Sequence, residues 1–372
     1  SMPDRANILH QSQANPFVAK FGKVPVYFAG REDVISEITL MFEEDEETAC
    51  CLLVGARGTG KTALLTYFSC IAERLGWVSA NVSAIPGMLQ DIFLQAQASA
   101  SHLIEPTSKH TLRSIGVAGV GTVEWDTTSK QITNWRSEMA SLLDDINEQG
   151  VGLLITVDEV NVSLDEMIEL VAVFQHFVRE DRKVALLMAG LPYNVEALIK
   201  GKSTSFLRRA DRFDLGTLAD YEVEEAFKLT VEEGGKIINS HALSKAVQEI
   251  GGFPFMFQLM GHRAWRISGD KEVITEQDIV EGAKLASEQM EKRVFDASYT
   301  ELSNADRSFL LAMLEDEKES TRASLMKRLN KPSSHISTYK SRLIQAGLID
   351  ETMDGAFRYA LPGLREYLRK RV

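Results

Sequence analysis

Gly55-Ala56-Arg57-Gly58-Thr59-Gly60-Lys61-Thr62 meets every fixed position of the pattern G-x-x-x-x-G-K-[ST]. The chemistry of that pattern is phosphate binding. Glycines let the backbone curl until several N–H groups point at one anion. A helix that opens directly after the loop adds its own N-terminal amides. In such a loop Lys61 reaches the β and γ phosphates and the Thr62 hydroxyl ligates Mg²⁺. The flanks fit. The apolar run Cys50 to Val54 reads as a buried strand, and Thr62 to Phe68 as a helix.

A second group completes the chemistry. Leu153 to Glu159 is an apolar strand tipped by two acids. Asp158 stands where a carboxylate would hold Mg²⁺ through its water shell, and Glu159 where one would act as general base toward water. An acid-tipped strand is common alone. Paired with the loop upstream it predicts binding of ATP or GTP, with hydrolysis.

The elements that must position these groups follow from pattern. A helix is predicted from about Asp33 to Phe42, a strand over Gly76 to Val82, and helices over Met88 to Leu103 and Ile132 to Asn147. A helix over Ser163 to Arg179 carries Leu164, Met167, Ile168, Val171 and Phe174 on one stripe, and Lys183 to Met188 is another buried strand. This alternation implies an α/β fold with a parallel sheet covered by helices. His110 to Trp125 reads as an inserted hairpin. From Ala219 strand signals stop. Helices are expected over Asp220–Glu233, Ser244–Ile250, Pro254–Ile267 and Thr275–Arg293, the last with Thr275 and Asp278 placed as a capping box. After Leu302 the order is helix, helix, a turn at Pro332, helix, Gly347 and two short strands, the order of a winged helix-turn-helix.

The chain has 372 residues, 44% hydrophobic and 25% charged, with net charge −12. That suits two or three globular domains and argues against a wholly basic nucleic-acid binder. No apolar run reaches membrane-span length and no secretory pattern opens the chain. Ser1-Met2 reads as a residual tag. Cys50, Cys51 and Cys70 lack metal-ligand spacing and are expected as buried thiols in a reducing cytosol. No histidine joins a metal-ligand or nucleophile set. Charge is uneven: between Thr321 and Ile349 lie Arg322, Lys327, Arg328, Lys331, Lys340 and Arg342 with no acid.

With these residues in place, the chain resembles the AAA+ P-loop ATPases. The likeness is to their initiator-like bacterial and archaeal branch, which shades into the signal-transducing STAND ATPases. Asn15-Pro16-Phe17 and Phe28-Ala29-Gly30-Arg31-Glu32 resemble that branch's N-terminal linker and F-x-G-R-E box. Gly55 to Thr62 and Asp158-Glu159 match its Walker A and B elements. Ala189-Gly190 occupies the sensor-1 strand end, and Phe206 to Phe213 resembles the arginine-bearing segment after it. Gly251-Gly252-Phe253-Pro254 resembles the G-G-x-P element opening the sensor-2 helix.

The resemblance implies an AAA+ core over 24–217 behind an arm over 1–23, a helical lid over 218–297 and a winged helix over 298–372. It implies ATP and Mg²⁺, adenine being preferred by family likeness. Phe28, Arg31, Phe253, Pro254 and Gly55, Ala56, Arg57, Gly58, Thr59, Gly60, Lys61, Thr62 and Ala63 are the nucleotide contacts so implied. One departure stands out. Sensor 1 usually carries a polar side chain, and Ala189-Gly190 has none, which suits a slow switch better than a motor.

Arg208 or Arg209, ahead of Arg212, is placed to act as a finger on a neighbouring subunit, which implies a homo-oligomer in the ATP state. A solvated, salt-bridged loop is the plainer alternative. Arg263 and Arg266 stand as sensor-2 candidates. In the basic tail, Ser334, His335, Ser337, Thr338, Lys340 and Arg342 would face a DNA major groove, with Arg322, Lys327, Arg328 and Lys331 on phosphates, making double-stranded DNA the expected partner. Two alternatives remain. One is a signalling or defence scaffold whose tail binds a protein partner. The other is a remodelling motor using the hairpin at Val117 to Val123. No membrane partner is expected, and the location is cytoplasmic.

Overall fold

The computed structural model describes residues 14–20, 23–44, 50–103 and 128–372, with side chains from 134 in the last segment. The expected hairpin at His110 to Trp125 lies outside the described residues. The chain divides into two compact units. One contains Val34–Val54 and Leu64–Asp214. The other contains the described residues up to Asp33, Gly55–Ala63 and Leu215–Val372.

The first unit is a five-stranded sheet with helices. Its strands are β1 (Cys50–Val54), β2 (Val78–Ser83), β3 (Leu153–Asp158), β4 (Val184–Gly190) and β5 (Asp211–Asp214). The order is β2-β3-β4-β1-β5 and every pair is parallel. β3 and β4 are apolar almost end to end because helices cover both faces of such a sheet. Helices α1 (Glu32–Glu43), α2 (Lys61–Arg74), α3 (Met88–Ala100), α4 (Thr128–Glu148), α5 (Asp165–Arg179) and α6 (Pro192–Lys200) follow the chain. Met167, Leu170, Val171, Phe174 and Phe177 of α5 join Leu153, Ile155, Leu186 and Met188 in one core.

Two elements here differ from expectation. β5 reads Asp-Arg-Phe-Asp and has no strand signal, yet it pairs along β1 from Cys51↔Asp211 to Val54↔Asp214. It is an edge strand, so half its surface meets water and charge is tolerated. Cys70, expected buried, is exposed. On α2 the buried positions are Leu64, Leu65, Phe68, Ser69 and Ala72, and residue 70 falls on the opposite face. Cys50 is half-buried and Cys51 buried; burial first, then Asp211, raises Cys50 to about 12, and burial first, then the neighbouring Cys50 and the acids Asp211 and Glu37, raises Cys51. Neither is a thiolate at neutral pH.

The second unit begins with the Asn15-Pro16-Phe17 anchor. Its helices are α7 (Asp220–Glu233), α8 (Ser240–Ile250), α9 (Pro254–Ser268) and α10 (Glu276–Met290). Two strands of two residues, β6 (Ile237–Ile238) and β7 (Val273–Ile274), pair in parallel where no strand was expected; they are too short for a periodic signal. The expected capping box is present: Asp278 N–H donates to Thr275 Oγ1 and Thr275 N–H to Asp278 Oδ2. Phe17 is buried against Phe227 and Phe257, with its ring over Gly261, where a β-carbon would come within 2.2 Å of it. Asn15 Nδ2 donates to His262 O, and Val18 N–H to Gln258 Oε1.

A π-helical turn, Glu291–Phe295, and a short helix, α11 (Asp296–Thr300), follow α10. Then come α12 (Asn304–Ala312), α13 (Arg322–Leu329) and α14 (Ser333–Gln345), an antiparallel hairpin of β8 (Ile349–Glu351) and β9 (Phe357–Tyr359), and α15 (Leu364–Arg369). Ser320 bridges Phe357 on the hairpin's other side. Phe309, Leu325, Ile336, Leu343 and Phe357 fill the centre.

Candidate nucleotide site

In the loop from Gly55 to Thr62, the carbonyl oxygens of Gly55, Ala56, Gly58 and Thr59 are occupied from within the second unit. Lys61 Nζ donates to Gly55 O and Ala56 O, each at 2.7 Å. Thr59 Oγ1 donates to Ala56 O at 2.7 Å. The Phe255 amide donates to Gly58 O at 3.2 Å, and Arg31 Nη2 to Thr59 O at 3.2 Å. The amides of Gly58 and Gly60 donate to no protein acceptor among the described residues. Gly58 and Gly60 have φ of 81° and 89°, a region favouring glycine. Gly55 is required by space: a β-carbon there would lie 2.8 Å from Leu215 O. Carbonyls bound on one side and unpaired amides in positive-φ turns make a cradle for an anion, and the donor set fits a phosphate.

Arg31 is buried, with 7% of its surface exposed. Besides Thr59 O, its Nη2 donates to Gly216 O at 2.9 Å, and its Nε is buried without a partner among the described residues. Burial lowers its pKa, and the charge of Glu222 opposes that shift. Phe253 precedes α9, and Pro254 is its first residue. Both are half-buried, as is Phe28. Arg57, exposed at the loop tip, reaches the turn after α14, where a β-carbon on Gly347 would come within 3.2 Å of its Cδ, Cγ and Nε.

In the sheet unit, β1 and β3 end on the same edge with β4 between them. β3 delivers Asp158, half-buried, and then Glu159, exposed. Glu159 has φ of 55°, a conformation that costs a non-glycine residue energy and that clusters at functional sites. Its amide donates to Asp158 Oδ1 at 2.9 Å. The end of β4, read from the sequence as sensor 1, has no room for a side chain at Gly190, where a β-carbon would lie 2.4 Å from Val160 Cγ2. Arg208 and Arg209 end a 3₁₀ turn (Ser205–Arg209) and are exposed with no ion pair among the described residues. Arg212 instead contacts Glu196 and Asp214. Arg263 donates to Gln289 Oε1.

Residues 27–188 match a family model described as AAA ATPase domain, and residues 292–368 match a domain of unknown function. No curated protein matches. The solved Walker-type ATPase of Pyrococcus abyssi shares 16% identity at TM-score 0.62, over 92% of this chain and 96% of that one. The Aeropyrum pernix ORC2 protein, solved in ADPNP and ADP complexes, shares 14% at TM-score 0.64, over 95% and 96%. At such identities the likeness is one of fold, a P-loop AAA+ fold.

The basic tail is less open than its sequence. Arg342 donates through Nε and Nη2 to Asp306 Oδ1, whose residue is buried. Lys340 Nζ donates to Glu351 at 2.6 Å. Arg328 contacts Glu315 and Asp316. Arg322 donates to Ser333 O, Ser333 Oγ and Ser337 Oγ. Lys331, Ser334, His335 and Thr338 remain exposed at the start of α14 and just before it. Sequence reasoning missed Gly216 and Glu222, which lie far from the loop in sequence and belong to no motif.

Proposed function

We propose that this chain is an ATP-binding, slowly hydrolysing switch whose nucleotide state is passed to its C-terminal domain. The observation that carries the coupling is Arg57, a residue of the phosphate loop, lying against Gly347. A phosphate in the cradle would bear on a loop that already touches the C-terminal turn. We assign Gly55 to Ala63 to the phosphates, with Thr62 and Asp158 holding Mg²⁺. Phe28, Phe253 and Pro254 would face the base. When bound, Mg²⁺ neutralises charge on the phosphate oxygens. The Glu159 carboxylate takes the proton from the attacking water, and the apolar end of β4 supplies no polar side chain to orient that water. Arg208 or Arg209 of a second copy would complete the site in a homo-oligomer.

The C-terminal domain is read as a winged helix that binds double-stranded DNA through Lys331, Ser334, His335 and Thr338. A second reading, protein binding, has its own support. Its hairpin carries Asp354 beside Met353, which is fully exposed at the tip. An acid and an apolar side chain there offer a phosphate backbone no contact.

The test is nucleotide binding and turnover by wild-type, Lys61→Ala and Glu159→Gln proteins, then DNA retention without nucleotide, with ADP and with a non-hydrolysable ATP analogue at two salt concentrations. Lys61→Ala is expected to lose ATP binding. Glu159→Gln is expected to bind and to turn over about a hundredfold or more slowly. Normal turnover by Glu159→Gln would remove the assigned base. Salt-sensitive retention with the analogue supports DNA, and no retention in any state leaves the protein-binding reading.

A further inference from the structure

The contacts of the second unit form a closed circuit. Phosphate-loop Thr59 O accepts from Arg31, and Arg31 also donates to Gly216 O. Two residues on, the Leu218 amide donates to Gly252 O at 2.8 Å. Gly252 opens the turn into α9, and the amide of Phe255 in the first turn of α9 donates back to Gly58 O. The ring therefore runs from phosphate loop to Arg31, to the segment leaving β5, to the glycine turn, and home. Two of its four hydrogen bonds are backbone to backbone, and Arg31 makes the other two. Arg31 is the one side chain in it.

We propose that Arg31 is a positioning residue that locks the phosphate loop to the 215–218 segment and the turn into α9, so that nucleotide in the loop fixes all three together. Two features of Arg31 suit this role. A planar guanidinium held between two carbonyls fixes both in one plane, which a lysine ammonium cannot do. Its burial means that water does not substitute for the protein acceptors. Gly30 and Glu222 support the placement. Glu222 Oε1 accepts from the Ala219 amide, and the Glu222 carboxylate lies where a β-carbon on Gly30 would be, so the acid that supports the Arg31 charge is held beside it.

The inference rests on nucleotide binding at the loop, and the experiment separates the two. Hydrogen exchange is followed in full-length protein with and without ADP, in wild type, Arg31→Lys and Arg31→Met, alongside ADP dissociation constants. If wild type gains no protection over 55–63, the nucleotide reading falls. If wild type gains protection there and equally over 215–218 and 252–255, the circuit is present. Arg31→Lys is then expected to keep the ADP-dependent protection over 55–63 but lose it over 215–218, and to bind ADP about tenfold more weakly. Arg31→Lys with wild-type protection over all three segments and wild-type affinity would overturn the inference. If Arg31→Met does not fold, Arg31→Lys carries the test alone. A purely structural role would lower the melting temperature without changing which segments respond to ADP.

Discussion

Gly30 offers the sharpest quantitative test of the arrangement around Arg31. It has φ of 62°, and a β-carbon built there would sit 2.0 Å from Glu222 Oε2 and 3.0 Å from Leu218 Cδ2. Gly30→Ala therefore carries two separate costs. The first is conformational: an alanine forced to positive φ costs about 1 kcal/mol. The second is displacement of the Glu222 carboxylate. That side chain is long enough to swing away, but doing so breaks its bond from the Ala219 amide at the start of α7, worth about 1 kcal/mol. The total expected is about 2 kcal/mol.

A double-mutant cycle separates the two parts. In a Glu222→Ala background the carboxylate and its cap are already gone, so Gly30→Ala should cost only the conformational part, about 1 kcal/mol. The coupling between the sites is then about 1 kcal/mol, well outside the few tenths expected of independent sites. Urea midpoints of the four proteins, at fixed nucleotide concentration, measure it. Equal penalties for Gly30→Ala in both backgrounds would refute the placement of Glu222 against Gly30.

Two further predictions rest on the tail. Arg342→Ala strands the buried Asp306 carboxylate and should destabilise the full chain by about 2–3 kcal/mol; an unchanged urea midpoint would show that Arg342 stands free for a ligand instead. The hydrogen bonds from Arg328, opposed by partial burial, hold the Asp316 carboxyl at about 2, below its ordinary 3.8. That stabilisation is complete above the unfolded value and is lost as pH falls toward 2, so wild type should lose about 1–2 kcal/mol across pH 4 to 2 that Asp316→Asn does not. Matching pH slopes in the two proteins would remove the pair from the account.

What was legible in the sequence was what is local in the chain. The phosphate loop is eight consecutive residues, and its conformation follows from the glycines within it. β1, β3 and β4 are buried on both faces, so their apolar runs are unbroken. α7 and α9 carry periodic faces and began within a residue of expectation. β5 was illegible because an edge strand needs backbone pairing on one side only, and Asp211-Arg212-Phe213-Asp214 obtains that from β1 without an apolar signature. Arg31 was assigned to the nucleotide by likeness, but its two acceptors lie 28 and 185 residues away, and no window of sequence joins them.

The basic tail shows why charge counts over a window mislead about a surface. Six cations and no acid between Thr321 and Ile349 suggest a strong positive field. Three of them meet acids that lie just outside that span: Arg328 meets Glu315 and Asp316, Lys340 meets Glu351, and Arg342 meets Asp306. The fold brings α12 and β8 against α14, so acids distant along the chain become neighbours in space. A cation already satisfied by a carboxylate releases little when it meets a phosphate, because its bound partner must first be given up. Any DNA affinity of this domain must therefore come chiefly from Lys327, Lys331 and the exposed side chains of Ser334, His335 and Thr338. With two exposed lysines, the salt dependence of binding should be shallow, a log–log slope nearer −2 than −6 by the counterion-release rule of about 0.9 per phosphate contact.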